Sequence, residues 1–286
     1  MSNLVEETRN IMKKYGIRAN KDLGQNFLIN NEVVENIVNS SEISQDDMVI
    51  EIGPGLGTLT KYLLEKAGKV LCIELDRKMI EILEDRFEKY SNFEIINDDV
   101  LKVDLNKIIK ENKENEKIKN VKIVANLPYY ITTPIIMKLL EEKLDIESIT
   151  VMIQKEVADR LIEIPSGKNT GAITYTIYYY CDSKKIMEVP NSSFIPEPEV
   201  TSEVIKMKIR KEPVVKVENP KVMFMIIKSA FMQRRKTLLN ALTNAQVFIS
   251  KQEGIKILNK LGLNENVRAE NLTIENYAEL AKEISK

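Results

Sequence analysis

The sequence predicts an α/β protein with a parallel, doubly wound sheet and a small α-helical domain after it. Between residues 48 and 154, short apolar runs rich in β-branched residues alternate with helical-looking segments, an order typical of a parallel sheet covered on both faces. From Lys221 onward the chain instead shows the spacing of amphipathic helices. The 286 residues are enough for one large or two modest domains, and we place the division at 1–210 and 211–286.

The elements of the sheet follow in chain order. Strands are predicted at MVIEIG (48–53), KVLCIEL (69–75), FEIIN (93–97), VKIVAN (121–126) and ITVMIQ (149–154). Helices are predicted between them, for instance at LTKYLLEKA (59–67) and RKMIEILEDRFEKY (77–90). The charged run at 111–120 has no apolar periodicity, so we expect a solvated loop there.

The segments on either side of these strands complete the first domain. The N-terminal segment, 1–45, is expected to contain an amphipathic helix (VEETRNIMKKYG), an irregular stretch (RANKDLGQNFLIN) and the start of another helix. Two longer strands are predicted at 172–181 and 202–210, joined by the proline-rich SSFIPEPEV (192–200). We expect them to complete the sheet as a hairpin-like edge.

Composition restricts the classes of function. Forty-two basic and forty-three acidic residues give a net charge of -1, so any site for a polyanion must be local. The chain has no histidine, the usual general base and commonest metal ligand, and we expect no metal site. Cys72 and Cys181 lie in apolar runs and are expected to be buried thiols in a reducing compartment. A charged N-terminus and the lack of a long apolar run support a cytoplasmic location.

Three successive predicted strands end in residues suited to a nucleoside-containing cofactor. VIEIGPGLGTLT (49–60) runs from a strand through a glycine-rich turn into a helix, and its glycines let a ligand lie close to the backbone. Glu74 ends the next strand, where a carboxylate would accept hydrogen bonds from a ribose diol. Asp98 and Asp99 follow the third strand, where one carboxylate could receive an adenine amine. Each piece alone is more readily structural, but open α/β sheets bind ligands where these strands end.

The spacing of the glycines argues against a dinucleotide. Residues 53–57 read G-x-G-x-G, whereas the dinucleotide fingerprint is G-x-G-x-x-G. A pyrophosphate uses the helix N-terminus as an anion site, and an adenosyl derivative without phosphate groups does not require one. A dehydrogenase would also need a hydride acceptor pocket, for which the sequence offers no residues.

The fourth strand ends in NLPYY (126–130), which suits an amino group. Pro128 stiffens the turn and would aim the side-chain carbonyl of Asn126 and a neighbouring backbone carbonyl at one point. Two acceptors would tilt an adenine amine toward tetrahedral geometry and free its delocalised lone pair. Tyr129 offers a face on which a base can stack, worth about 1–3 kcal/mol. From this segment alone, a proline-broken strand end with two packed tyrosines is an equally good interpretation.

The order and spacing of seven features resemble the S-adenosylmethionine-dependent ribosomal RNA adenine dimethyltransferases over nearly the whole chain. The features are GQNFL (24–28), EIGPGLG (51–57), Glu74, Asp99, NLPYY (126–130), FIPEPEVTS (194–202) and AFMQRRKTLLNAL (230–242). The glycine before QNFL and the QRRKTL segment are similar to the bacterial small-subunit enzymes, the KsgA/RsmA family. Relatives that act on large-subunit rRNA and confer antibiotic resistance share the cofactor motifs but fit QRRKTL less well.

The resemblance implies a Rossmann-like methyltransferase sheet and a role for individual residues. The residues implied to contact S-adenosylmethionine are Asn26, Leu28, Gly53, Glu74, Asp99 and Asn126. Asn126 and Tyr129 would also hold the target base, and Phe194 would form a second aromatic wall. Tyr130 receives no catalytic role, because the family often has another residue at its position.

The activity implied by the resemblance is dimethylation of N6 on two adjacent adenosines near the 3′ end of 16S rRNA, with a role in small-subunit maturation. The expected partners are the small ribosomal subunit and its rRNA, without membrane or metal, and the enzyme is expected to be a monomer. A related methyltransferase for large-subunit rRNA and a non-catalytic assembly factor are the alternatives.

Arg234, Arg235 and Lys236 form a basic cluster within QRRKTL. We expect them near a helix start, where the macrodipole disfavours cations, so a purely structural role would have to offset that cost. For an arbitrary basic triplet, surface charges paired with nearby acids would be the better interpretation. Beside an RNA-modifying domain in a nearly neutral chain, contact with rRNA phosphates is favoured.

Overall fold

A seven-stranded sheet forms the framework of the first of two units in this computed structural model, which describes residues 3–20, 23–115 and 118–285. Contacts group Met1–Ala158 with Ser183–Ile209, and Asp159–Asp182 with Arg210–Lys286. The division of the chain expected at residue 210 stays a prediction. The units differ from it at Arg210 and in the segment 159–182, which groups with the C-terminal helices.

The described residues form nine strands, of which the first six alternate with α-helices and the last three follow one another without an α-helix. They are β1 (Phe27–Leu28), β2 (Asp47–Ile52), β3 (Lys69–Glu74), β4 (Phe93–Asn97), β5 (Asn120–Asn126), β6 (Ser148–Gln154), β7 (Cys181–Val189), β8 (Phe194–Ile195) and β9 (Ser202–Ile209). The order in the large sheet is β4-β3-β2-β5-β6-β9-β7, and β1 pairs with β8 in a separate two-stranded sheet. All five predicted central strands are confirmed, with ends that differ by at most one residue.

Strands β2 to β6 pair in parallel, and β9 joins β6 antiparallel. Every residue of β2 is buried, and β3 is buried after its first residue. Burial on both faces explains why these strands read as continuous apolar runs. The parallel pairing also brings the carboxyl ends of β2, β3, β4 and β5 to one edge of the sheet.

The helices are as follows: α1 (Leu4–Lys14), α2 (Asn31–Ser40), α3 (Thr58–Lys66), α4 (Arg77–Phe87), α5 (Leu105–Asn115), α6 (Thr132–Glu141), α7 (Lys155–Leu161), α8 (Ala172–Tyr180), α9 (Pro220–Met232), α10 (Leu238–Asn244), α11 (Lys251–Lys260) and α12 (Ile274–Ile284). Residues 211–285 contain helices, turns and irregular connections, which confirms the expected helical character. None of the helices that the described residues form is long and apolar enough to cross a membrane.

The strand predicted at 172–181 is wrong, because residues 172–180 form α8. Its β-branched and aromatic residues favour a strand, but most of them are buried within the second unit, so no polar face shows the helical period. Tyr175 lies at the centre of this packing, where its hydroxyl donates to the Leu272 carbonyl over 2.6 Å and its ring contacts Tyr277. The edge of the sheet is instead made by β9 and β7.

The loop predicted at 111–120 is also partly wrong. Residues 111–115 continue α5, whereas 116 and 117 lie outside the described residues. The buried residues Leu105 and Ile109 lie in the first turns of α5, and ion pairs four residues apart, Lys107–Glu111 and Lys110–Glu114, support its continuation beyond them. Cys72 and Cys181 are both buried and unbridged, as expected.

Candidate active site

A cleft in the first unit collects the residues that follow four parallel strands. Its walls are the glycine-rich turn after β2, the end of β3, residues 98–100 after β4 and residues 126–131 after β5. Residues 23–28 of the N-terminal segment form a further wall. All six residues expected to contact the cofactor line this cleft: Asn26, Leu28, Gly53, Glu74, Asp99 and Asn126. Their roles in binding stay predictions.

The glycine-rich turn, residues 53–57, depends on backbone conformations that favour glycine. Gly53 has φ 67° and Gly57 has φ 77°, in the left-handed region. The Gly53 N–H donates to the Ile73 carbonyl over 2.9 Å, which joins the turn to β3. A Cβ atom on Gly57 would lie 2.6 Å from the Phe87 ring, so only glycine lets the turn approach α4 this closely.

Glu74 is a buried carboxylate held by backbone donors. Its Oε1 accepts from the N–H groups of Leu75 and Asp76, over 2.8 and 2.9 Å. Its Oε2 accepts from the Gly55 N–H over 3.2 Å, which connects it to the glycine-rich turn. Burial raises the pKa of Glu74, and the three N–H groups partly oppose that rise. The carboxylate is therefore fixed at the cleft wall, as a partner for ribose hydroxyls requires.

Asp98 and Asp99 lie directly after β4, and both line the cleft. The Asp98 side chain accepts from the Asp99 N–H over 2.7 Å, and the Asp99 side chain accepts from the Leu101 N–H over 3.0 Å. These local bonds stabilise the turn that follows β4. They leave carboxylate lone pairs at Asp99 for an additional donor such as an amine.

Asn126 at the end of β5 is oriented by the N-terminal segment. Its Nδ2 donates to the Asn26 carbonyl over 3.3 Å, which leaves Oδ1 as the end of the amide available to a ligand. The Pro128 carbonyl accepts from the Ile131 N–H and the Thr132 hydroxyl, over 3.3 and 3.0 Å. Within the described residues no hydrogen bond reaches the carbonyl of Leu127, which also lines the cleft. Two acceptors are thus available side by side.

Tyr129 lines the cleft next to these acceptors. Its hydroxyl is 2.6 Å from the Ser202 Oγ at the start of β9. Burial raises the pKa of Tyr129, so the phenol stays neutral. This hydrogen bond connects NLPYY to the end of FIPEPEVTS, two segments that are distant in sequence but were expected to share one site.

Phe194 is placed differently from its expected position. Its side chain is only 1% exposed, and the residue pairs with Leu28 between β8 and β1. It is not among the residues that line the cleft. The role of Phe194 as a second aromatic wall stays a prediction, and in this structure its ring would have to leave the core to contact a base.

The structure adds two cleft residues that received no role from the sequence. Glu51, on β2, is buried, and its Oε2 accepts from the Thr60 hydroxyl over 2.6 Å. Burial, assisted by the nearby Glu74 charge, raises the pKa of Glu51 to about 8 against weaker opposition from Thr60 and Cys72. Tyr130 is 54% exposed at the cleft, with its ring near Gly24. The motif EIGPGLG contains Glu51, but no local pattern indicates its burial.

The basic cluster lies in a turn of the second unit, residues 233–236, which we term the basic turn. The turn follows the end of α9 and precedes Thr237, the N-cap of α10. The cluster lies near the start of α10, as expected, but it also lies at the end of α9, where the macrodipole favours cations, so the expected electrostatic cost is offset. The role of the cluster stays a prediction. All three cations are exposed, and Arg234 donates to Glu270 over 3.1 Å and to the Lys168 carbonyl.

Comparison with known proteins gives relatives over almost the full chain. The model of the family described as ribosomal RNA adenine dimethylase matches residues 16–286. Proteins named ribosomal RNA small subunit methyltransferase A are among the similar sequences. The one from Alkaliphilus metalliredigens (strain QYMF) is 50% identical over 279 residues, 98% of this chain and 96% of its own length. The one from Clostridium acetobutylicum is 48% identical over 277 residues, 97% of this chain and 98% of its own.

Two solved structures share the fold. A dimethyladenosine transferase from Plasmodium falciparum has a TM-score of 0.74 and 26% identity, covering 91% of this chain and 97% of its own. The 23S rRNA methyltransferase ErmE has a TM-score of 0.65 and 20% identity, covering 91% of this chain and 100% of its own, and at that identity shows the fold alone. Given the family match over residues 16–286 and relatives near half identity, this chain belongs to the ribosomal RNA adenine dimethylase family.

Proposed function

We propose that this protein dimethylates N6 of two adjacent adenosines near the 3′ end of 16S rRNA, using S-adenosylmethionine, and that it acts during maturation of the small ribosomal subunit. The observation that carries the proposal is the pair of acceptors at the end of β5. The Oδ1 of Asn126 and the carbonyl of Leu127 belong to neighbouring cleft residues, and Asn126 is fixed by Asn26. An exocyclic amine with two N–H donors matches this pair.

The cleft fits the proposed cofactor by the chemistry of its polar groups. Glu74 offers a fixed carboxylate for the ribose diol, and Asp99 offers one for the adenine amine. The glycine-rich turn lets the methionine portion lie close to the backbone. When bound, S-adenosylmethionine would supply an electrophilic methyl group, which a nucleophile in line with the carbon–sulfur bond can accept while the sulfonium sulfur leaves as a thioether.

The residues at the end of β5 prepare the nucleophile. In the first transfer, Asn126 and Leu127 accept hydrogen bonds from both amine N–H groups and so favour a tetrahedral nitrogen whose lone pair is no longer shared with the ring. Tyr129 holds the base by stacking, and its bond to Ser202 fixes the ring. The enzyme therefore contributes positioning, and the released proton can pass to water without a strong base.

The target adenosine has to leave its stack to reach this site. Extrusion costs a few kcal/mol in a duplex and less in a loop, so a loop in rRNA is the favoured substrate. We place rRNA binding outside the cleft in the helical segment 211–286, with phosphate contacts at the basic turn. All three cations of this turn are exposed, and Arg234 is paired with Glu270. We further propose a monomer that works in the cytoplasm, where ribosomal subunits are available, and needs no metal.

The test is to incubate the protein with labelled S-adenosylmethionine and small subunits from cells that lack the modification, and to map methylated adenosines by mass spectrometry. Two adjacent N6-dimethyladenosines near the 3′ end of 16S rRNA are expected. Large subunits serve as the comparison substrate, because methylation there alone would favour the large-subunit alternative. Tight subunit binding without methyl transfer would instead identify an assembly factor.

A further inference from the structure

The glycine-rich turn is contacted by Arg86, a residue outside all of the motifs found in the sequence. Arg86, near the end of α4, donates from Nη1 to the carbonyl of Leu56, in the middle of the turn. The Arg86 side chain is 13% exposed, and its neighbour Phe87 packs directly on Gly57. Helix α4 therefore supports the turn with one hydrogen bond and one close apolar contact.

The other half of the Arg86 guanidinium is held by helix α1. Its Nη2 lies 2.7 Å from the Oε1 of Glu7, whose Oε2 lies 3.2 Å from the Nζ of Lys61. Lys61 is in α3, which begins immediately after the glycine-rich turn. Glu7 thus joins the helix that follows the turn to the helix that supports it. Because a largely buried guanidinium requires a charge partner, Glu7 also fixes where Arg86 points.

The N-terminal segment reaches the same turn from the cleft. A Cβ atom on Gly55 would lie 3.5 Å from the Phe27 ring, so Phe27 lies against the turn. Residues 23–28 of this segment line the cleft. A turn with glycines at positive φ has many accessible conformations when free, so such supports restrict it to one of them.

We propose that Arg86 and Glu7 are positioning residues for the methyl donor, which act by holding the Leu56 carbonyl and thereby the glycine-rich turn in its binding shape. Neither residue lines the cleft. Loss of either lowers the fraction of molecules with a competent turn, and the apparent dissociation constant for the cofactor rises by the reciprocal of that fraction. At saturating cofactor nearly all molecules have the competent turn, so the turnover rate recovers.

Asp85 provides a matched control, because it attaches α1 to α4 without reaching the turn. Its Oδ2 accepts from the Lys14 Nζ over 2.8 Å and from the Tyr15 hydroxyl. Asp85 and Arg86 are adjacent on α4, and both bind the N-terminal helical region. If these ion pairs served only to attach α1, substitutions at the two positions would affect cofactor binding alike.

The experiment compares Arg86→Lys, Glu7→Gln and Asp85→Asn by calorimetric titration with S-adenosylmethionine and by steady-state kinetics. Lysine keeps the positive charge but lacks the planar guanidinium, whose two terminal nitrogens bind Leu56 and Glu7 at the same time. For the Arg86 and Glu7 variants, Kd and the KM for cofactor should rise about tenfold, as expected if about a tenth of the molecules keep the competent turn. The kcat at saturating cofactor should change little, and Asp85→Asn should keep the wild-type Kd.

A double variant distinguishes positioning from general loosening of the fold. Glu7→Gln combined with Arg86→Lys should raise Kd no more than the larger single effect, since both act through one carbonyl. Equal Kd values for wild type and Arg86→Lys, or an equal rise in Asp85→Asn, would overturn the proposal. If Arg86→Lys does not fold, Glu7→Gln alone decides between these outcomes. Failure of the wild type to bind S-adenosylmethionine would instead refute the proposed function.

Discussion

The glycine-rich turn and the basic turn are both short connections into a helix, yet they are held in opposite ways. The glycine-rich turn is joined to β3 through Gly53, to Glu74 through Gly55 and to Arg86 through Leu56. In the basic turn Gln233 accepts from the Asn244 side chain and from the Lys236 N–H, and Arg234 donates to Glu270 and to the Lys168 carbonyl, but the side chains of all three cations are exposed. Recognition in the cleft should therefore depend on single atoms, whereas recognition at the basic turn should depend on summed charge and on salt.

The largest expected effect is at Asn126. We expect Asn126→Ala to lower single-turnover methyl transfer by about a hundredfold to a thousandfold, since it removes one preorganised partner of the reacting amine. Calorimetric affinity for S-adenosylmethionine should stay largely intact. Asn126→Asp, which keeps an acceptor oxygen, is the companion variant and should retain more activity than alanine. Near-normal turnover in Asn126→Ala would contradict the two-acceptor arrangement. It would also show that recognition in the cleft does not depend on single atoms.

At Glu74 the expected loss is in cofactor binding. Glu74→Ala should weaken S-adenosylmethionine by about 1–3 kcal/mol, the usual range for hydrogen bonds to a charged group. Titration calorimetry measures this directly. Glu65→Ala, at an exposed acid on α3, is the control and should leave affinity unchanged. Equal affinities for Glu74→Ala and wild type would show that Glu74 does not bind the ribose of the cofactor.

Glu51 tests whether the cleft contains a neutral carboxyl group. Its pKa is raised from 4.5 to about 8 in the folded protein, so between these values the folded state binds more protons than the unfolded state. The free energy of unfolding should therefore fall as pH rises through this range. Glu51→Gln, which is neutral at every pH, should lack this decline. Urea unfolding of both proteins near pH 5, 7 and 9 measures it, and parallel pH profiles would show that Glu51 is not buried as a neutral acid.

The smallest effect per residue is expected at the basic turn. Reversing Arg235 and Lys236 to Glu should weaken small-subunit binding and reduce the slope of log affinity against log salt by about 1.4, at roughly 0.7 per phosphate for single strands. Arg234 is left intact because it is paired with Glu270. Reversing the exposed Lys251 and Lys256 on α11 gives a control of equal charge. An identical salt slope in both double variants would show that net charge, rather than the basic turn, controls binding.

The sequence alone was sufficient for the central strands and for the constellation of cleft residues. Parallel strands leave continuous apolar runs, and their carboxyl ends must meet at one edge, so Gly53, Glu74, Asp99 and Asn126 could be grouped before their positions were known. Each of these residues stands beside a recognisable strand end. Their position in the chain therefore implied their position in the sheet.

Only the tertiary structure decided the features that depend on distant partners. Helix α8 is buried on most sides by other helices of the second unit, so it has no polar face with the helical period. Its sequence therefore resembles a buried strand. The core placement of Phe194, the raised pKa of Glu51 and the pairing of Arg234 with Glu270 are likewise set by surroundings that no local pattern encodes. Glu7 and Arg86 are 79 residues apart, and their spacing carries no periodic signal. Such contacts arise from packing between elements, whereas periodicity records only which face of an element is buried.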